Sequence, residues 1–204
     1  FIYWVPSILT TISKLDLLKN RNLSIETVFY GGELMPTKHL MYWKKHLPNT
    51  IYSNFFGPTE TTVICTHYIL DRDFSDDEPL PIGFACKNTD VLVLDEQDRL
   101  VTEQNKIGEL CVRGSSLALG YYNEPEKTTL AFVQNPLNKA YPEKIYRTGD
   151  VVYYNEKGEL IYKGRKDFQI KHMGYRIELG EIETAILAID GVDNACVLYD
   201  NENK

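Results

Sequence analysis

Three short strings hold the residues best suited to chemistry. Glu60 ends Asn54-Phe55-Phe56-Gly57-Pro58-Thr59-Glu60, Asp150 ends Tyr146-Arg147-Thr148-Gly149-Asp150, and Arg165 stands near the start of the run from Gly164 to Glu183. A single carboxylate on a loop suits Mg2+, which takes one or two carboxylates and fills its shell with phosphate oxygens and water. Where a carboxylate substrate must approach a phosphate, such a cation offsets their repulsion. The plainer reading of Glu60 is a first-turn acid after Thr59, favoured by the helix dipole. Asp150 can accept both hydroxyl hydrogens of a ribose, or can serve as a turn residue after Thr148-Gly149. Arg165 is otherwise a surface charge following Gly164.

These residues need elements to present them. Apolar Ile8, Ile12, Leu15 and Leu18 form a helical stripe over residues 7–20, opened by Pro6-Ser7. Residues 25–30 read as a strand ending in Gly31-Gly32-Glu33. A helix from about Thr37 follows, with Leu40, Met41 and Leu47 on one face and Pro48 stopping it. Residues 50–54 form the next strand and run into the Phe55–Glu60 loop. Strand, helix, strand with short links predicts a parallel unit with both glycine-bearing loops at carboxyl ends of strands, where open α/β sheets place ligands.

Residues 62–69 read as a strand, and 71–78 as a solvated acidic turn. From 79 to 165 the segments are short and β-like, with strands at 91–95 and 107–113 and a hairpin over 151–162 turning at 155–158. Past Asp167, residues 177–189 contain a helix and 195–199 a strand. The expected fold class is α/β plus β. It comprises the end of a parallel α/β subdomain (1–70), a small antiparallel β-barrel-like subdomain (71–166), and the truncated start of an α+β C-terminal domain (167–204).

Bulk properties narrow the function. The 204 residues are 43% hydrophobic and 25% charged, ordinary for a globular protein. A net charge of −7 opposes nonspecific binding to nucleic acid, which needs clustered Lys and Arg. No apolar run is long enough for a membrane insertion, and no signal-type segment opens the chain. Cys65, Cys86, Cys111 and Cys196 are scattered without a C-x-x-C pair, which fits a reducing, cytoplasmic setting rather than zinc or disulfides. His39, His46, His67 and His172 lack partner spacing and read as packing or surface residues. Met is absent from position 1, so a piece of a longer protein is expected.

In this order and spacing, the three strings resemble the adenylate-forming enzymes, a family that includes amino-acid adenylation domains of nonribosomal peptide synthetases, D-alanine–carrier-protein ligases, acyl-CoA synthetases and luciferases. Gly31-Gly32-Glu33 and Gly57-Pro58-Thr59-Glu60 are closer to the amino-acid-activating branch. The resemblance implies use of ATP and Mg2+ to turn a small carboxylate, an amino acid in that branch, into an acyl-adenylate. The acyl group then passes to the phosphopantetheine thiol of an acyl or peptidyl carrier protein, or to coenzyme A. It assigns Glu60 to the metal and, with Arg165, to catalysis. It assigns Asn54, Phe56, Gly57, Thr59, Asp150, Tyr162 and Arg165 to the nucleotide. Phe56 replaces the family's usual Tyr and keeps the flat face that stacks on adenine.

The same resemblance places Phe29, Gly31, Phe55, Val63 and Ile64 on the acyl-pocket wall, an apolar and narrow space suited to a small or hydrophobic side chain. Asp167 falls at the family's hinge, and Lys171 and Gly174 in the mobile loop that lines its thiol channel. Glu178, Glu181 and Glu183 read as first-turn helix acids. The family's Ser/Thr/Gly-rich phosphate loop is expected before Phe1 and its adenylation lysine after Lys204, so these residues alone should not catalyse. A nucleotide-binding or carrier-docking relic is the competing reading.

Overall fold

The computed structural model describes residues 1–200 other than 168, 190 and 193. Its first sheet runs in the order β1 (Ile2–Trp4), β2 (Thr27–Gly31), β3 (Ile51–Phe56), β4 (Thr66–Ile69), β5 (Phe84–Ala85). The first three strands are parallel and the last two antiparallel. Helix α2 (Thr37–His46) connects the parallel strands β2 and β3, as expected, and α1 (Pro6–Lys14) links them to β1, a strand the sequence reading did not include. Because side chains alternate along a strand, Val28 and Tyr30 of β2 and Tyr52 of β3 enter one core with Leu9, Leu40 and Trp43. The Trp43 indole N–H donates to the Leu9 carbonyl, joining the two helices. Phe29 and Phe55 are left on the opposite face, their rings 4.8 Å apart.

Two boundaries differ from expectation. The first helix stops at Lys14 rather than reaching 20, because Asp16 and Asn20 take positive φ; Leu15 is exposed, and Leu9 rather than Ile8 faces the core. The strand expected from 62 begins at Thr66. Thr62 and Val63 have φ of 58° and 76°, a left-handed turn that costs a β-branched residue strain and that clusters at functional loops. The 71–78 loop is anchored as well as wet: Phe74 is buried, and Asp73 and Glu78 pair with Lys44 and Arg72.

The second sheet is antiparallel. It contains β6 (Thr89–Leu94), β7 (Gly108–Gly114), β8 (Phe132–Gln134, after the short α3, Pro125–Ala131), β9 (Lys144–Tyr154) and β10 (Leu160–Arg165). The path β10-β9-β7-β6 is open, with β8 pairing the early half of β9. Val93, Leu110, Val152 and Leu160 form its core. The Ile82 N–H donates to the Leu160 carbonyl and ties the two sheets. A hairpin of β11 (Gln169–His172) and β12 (Tyr175–Glu178) follows, then α4 (Leu179–Leu187). Met173 and Gly174, at the hairpin tip, both have positive φ, as a two-residue type I′ turn needs. Residues 195–199 pair with no strand among the described residues; Val197 instead donates its N–H to Glu183. Positions 201–204 of the expected C-terminal unit lie outside the described residues. No described helix is long and apolar enough to cross a membrane.

Candidate active site

The end of β3 sets up the first loop. Asn54 is buried and its amide donates to the Pro81 carbonyl, which fixes the strand's exit. A Cβ on Gly57 would stand 2.6 Å from the Cys65 nitrogen and the Val63 carbonyl oxygen, so only glycine lets the chain fold back there. A 3-10 turn over Thr59–Thr61 then carries Glu60 inward to 5% exposure. The Tyr121 hydroxyl donates to Glu60 Oε1 at 2.6 Å, and Arg176 Nη1 lies 2.9 and 2.8 Å from the two carboxylate oxygens. Burial pushes this carboxyl up, but hydrogen bonds from Tyr121 and Arg176 outweigh it and hold the pKa below the ordinary value.

A bulge in β9 presents the second group. Glu109 and Cys111 of β7 face Val151 and Arg147, so residues 148–150 loop out between them. Gly149 takes φ 73°; the Thr148 hydroxyl donates to the Leu110 carbonyl, and the Asp150 N–H donates back to that hydroxyl. Asp150 is thereby buried to 1% exposure. Arg165 Nη1 reaches it at 3.0 Å, while Nε and Nη2 hold Asp167 at 2.6 Å each. Burial raises the Asp150 pKa despite the nearby Arg165 and Lys171 cations. Burial likewise lowers the Lys171 pKa although Asp150 opposes the shift.

Lys171 extends over the Phe56 ring, 5.3 Å from its centre, and Tyr162 lies 5.9 Å from Phe56 on the other strand system. Asn54, Phe55, Phe56, Tyr162, Arg165 and Lys171 line one cavity of about 850 Å³, within the size range of small-molecule and cofactor sites. Asp167 also lines it. Lys171 and Arg176 are cross-strand partners on the hairpin, so the residue paired with Glu60 sits across one rung from the lysine at the cavity.

The remaining expected site residues are distributed differently. Phe55 alone of the five acyl-wall candidates lines the cavity. Phe29 packs behind it, and Gly31 sits where a Cβ would be 2.1 Å from the Phe55 carbonyl oxygen. Val63 is 55% exposed in the turn, and Ile64 neighbours it outside the lining. Thr59 is exposed at the start of the 3-10 turn. Gly174 lies at the hairpin tip, where its N–H donates to Glu33 Oε1 at 2.5 Å. Sequence reasoning missed Glu33, Glu109, Tyr121 and Arg176 as organisers of the site. Among the described residues no cluster of three His, Cys, Asp or Glu could hold a metal by itself. The buried Glu60 carboxylate is the group that could hold a Mg2+ ion completed by phosphate oxygens, once Arg176, which now pairs with it, is displaced.

Comparison with known proteins identifies the family. The family model described as AMP-binding enzyme matches residues 1–122. Tyrocidine synthase 3 of Brevibacillus parabrevis is 38% identical over 96% of the chain, which spans 3% of that protein. The L-proline–[L-prolyl-carrier protein] ligase of Streptomyces coelicolor is 37% identical over 97% of the chain, which spans 36% of it. Among solved structures, holo-PA1221, an NRPS protein containing adenylation and PCP domains bound to a vinylsulfonamide inhibitor, superposes with a TM-score of 0.87. It is 31% identical over 96% of the chain and 34% of its own. The Vibrio cholerae adenylation domain AlmE in complex with glycyl-adenosine-5'-phosphate gives 0.83 and 29% over 94% of the chain and 36% of its own. The chain thus spans little more than a third of even the shorter of these relatives.

Proposed function

The chain belongs to the AMP-binding enzyme family, and from that premise we propose that it forms the central part of an ATP-dependent ligase. The ligase activates an amino acid as its acyl-adenylate and passes the acyl group to the phosphopantetheine thiol of a carrier protein. The observation that carries this reading is the meeting of Asp150, Arg165 and Lys171 with the Phe56 and Tyr162 rings beside one cavity.

Phe56 supplies an apolar face on which adenine stacks, with Tyr162 closing the far side. Asp150 accepts the ribose hydroxyls once Arg165 turns from it, and the freed guanidinium then faces a phosphate oxygen, which its planar fork suits. Bound Mg2+ supplies charge neutralisation between the phosphate and the attacking carboxylate. Glu60 would hold that ion through its one buried carboxylate, and Gly57 and Thr59 shape the loop that carries it. Phe55, backed by Phe29 at 4.8 Å and Tyr3 at 5.9 Å, gives the acyl wall an aromatic character that favours a small or hydrophobic side chain. Asp167, clamped by Arg165, is the pivot about which residues 167–204 turn relative to 1–70 and 71–166; such a motion needs only a few backbone torsions at an element boundary. Gly174 and Lys171 then border the thiol's path. Four free cysteines suit a cytoplasmic setting.

The test is carboxylate-dependent ATP–pyrophosphate exchange by the full-length protein across a panel of amino, fatty and aryl acids. An amino acid should support exchange, and Asp150→Ala should weaken ATP binding by roughly 1–3 kcal/mol, the cost of unpaired buried hydroxyls. Exchange with no acid, or unchanged nucleotide affinity in that variant, overturns the reading. Exchange only with fatty or aryl acids moves the chain to the acyl-CoA synthetase branch. The 204 residues alone, which contain no Ser/Thr/Gly-rich phosphate loop with lysine, should give none.

A further inference from the structure

Glu60 is asked to do two things at once. Under the proposed function its carboxylate ligates the divalent cation that accompanies ATP. In this structure the same carboxylate is spanned by a guanidinium, with Arg176 Nη1 at 2.9 Å from Oε1 and 2.8 Å from Oε2. Tyr121 occupies a third direction at 2.6 Å. Glu60 is 5% exposed, so little room remains beside it. Two cations sharing one buried carboxylate repel strongly where water cannot screen them.

Arg176 is not an independent surface residue. It sits on β12 directly opposite Lys171 of β11, so its position is tied to that of the lysine over Phe56. The turn joining those strands is fastened to the first sheet by the Gly174 N–H on Glu33, and Glu33 is itself held by the Ser7 N–H. Seating Arg176 on Glu60 therefore seats the whole hairpin: Lys171 against the nucleotide end of the cavity and Gly174 against the 31–33 loop. Removing Arg176 from Glu60 takes away an ion pair that, among the described residues, joins the hairpin to the Phe55–Glu60 loop.

We propose that Arg176 is the positioning residue for the thiol-transfer half of the reaction: it takes over the carboxylate that the divalent cation uses in the adenylation half, so that metal ligation and hairpin seating exclude each other. The proposal rests on the function given above. With ATP and its metal present, Glu60 is occupied, Arg176 is displaced, and the hairpin is free to leave with the rest of residues 167–200. Once pyrophosphate and the metal depart, Glu60 is an unpaired buried anion. Arg176 is the guanidinium that returns to neutralise it, bringing Lys171 and Gly174 into place. The order of the two half-reactions is thereby coupled to the charge state of one site.

The coupling is measurable in the full-length protein with Mn2+ and a nonhydrolysable ATP analogue. Mn2+ affinity is read by electron paramagnetic resonance, and hairpin seating by hydrogen exchange at the Gly174 amide and across residues 169–178. In the unaltered protein, the Mn2+–nucleotide complex should speed exchange in the hairpin, while the nucleotide analogue with EDTA should not. Arg176→Met should tighten Mn2+ binding at least about fivefold, the lower end of ordinary coupling, and should leave hairpin exchange fast with or without metal. Glu60→Gln, a smaller change, should also leave the hairpin fast in both conditions and serves if Arg176→Met fails to fold. Arg176→Lys, which keeps the charge, should retain the metal response. Hairpin exchange indifferent to Mn2+–nucleotide in the unaltered protein, or unaltered Mn2+ affinity in Arg176→Met, overturns the proposal. Pyrophosphate exchange run on the same preparation separates the two readings: its presence with an uncoupled hairpin defeats this inference alone, and its absence with every acid defeats the function on which it rests.

Discussion

Replacing Arg165 with alanine removes the cation that faces two carboxylates, and the structure sets the size of the loss. The arm toward Asp150 is buried on both sides, with side chains 9% and 2% exposed at a separation of 3.0 Å. Deleting one partner of such a pair costs about 3–5 kcal/mol, because the charge left behind is neither paired nor solvated. The arm toward Asp167, whose side chain is 48% exposed, adds at most about 1 kcal/mol. Lys171 is near enough to Asp150 to relieve part of the orphaned charge, which puts the expected loss near about 3 kcal/mol, at the lower end.

Asp150→Asn leaves Arg165 with Asp167 and should cost less, about 1–2 kcal/mol. The double variant contains no buried anion at 150, so its loss should fall short of the sum by at least about 1 kcal/mol. Urea titrations of the 204-residue chain and these three variants measure the cycle. The pH dependence follows in sign. Burial already raises the Asp150 pKa above its ordinary 3.8, and an acid raised on folding contributes stability that is present below its unfolded pKa and lost as pH rises through the folded one. Without Arg165 the folded value climbs further, so the Arg165→Ala deficit should be widest at neutrality and shrink toward pH about 4. Losses that add within about 0.5 kcal/mol, or a deficit that grows on acidification, refute the reasoning.

Three further outcomes are expected. Asp167 has its pKa lowered from 3.8, chiefly by its hydrogen bond to Arg165; that stability is present above the unfolded pKa and lost as pH falls through the folded value. Asp167→Asn should accordingly flatten the acid limb of melting temperature against pH below about 4, and an unchanged limb contradicts the assignment. The Tyr30 hydroxyl is buried without a hydrogen-bond partner among the described residues, so Tyr30→Phe should leave the melting temperature unchanged or raise it; a loss above about 1 kcal/mol points to a partner there. Gly57→Ala drives a Cβ into backbone at 2.6 Å on two sides. It should cost about 1–3 kcal/mol in denaturant titration and lower pyrophosphate exchange in the full-length protein, and an alanine tolerated in both assays means the loop is not constrained as described.

Much of the architecture could be read from residue patterns because the informative signals were local. Strand–helix–strand periodicity before Phe55 and the Asn155–Gly158 turn each depend on neighbours within a dozen positions, and both appear in the structure. Errors arose where distant contacts overrode local preference. Thr61-Thr62-Val63-Ile64 has the β-branched run of a strand, yet the backbone crossing Gly57 turns it into a left-handed corner. Leu15 and Leu18 continue a helical stripe, yet Asp16 ends the helix before they can share a face. The organising residues of the site were illegible for the same reason. Tyr121 meets Glu60 across 61 positions and Arg176 meets it across 116; no spacing rule encodes such pairs, and Arg176 within Tyr175-Arg176-Ile177-Glu178 resembles any exposed strand cation.

Glu109 shows how one buried carboxylate can tie the β9 bulge to the segment that leads into Asp167. It is 5% exposed and accepts from the Gly149 N–H, from Arg147 and from Lys166. The first two contacts hold the β9 bulge whose next residue is Asp150. The third holds the residue immediately before Asp167. A carboxylate buried without partners would be costly, but here three donors compensate it, and all three belong to segments that must keep a fixed relation to Asp150. The same reasoning explains why the bulge tolerates no ordinary pairing. Were Thr148–Asp150 in regular register with β7, Asp150 would lie opposite Gly108 rather than beside Leu110, displaced by two positions along the strand. The irregularity is thus the element that delivers the ribose-facing candidate, and Glu109 is the group whose chemistry keeps it irregular.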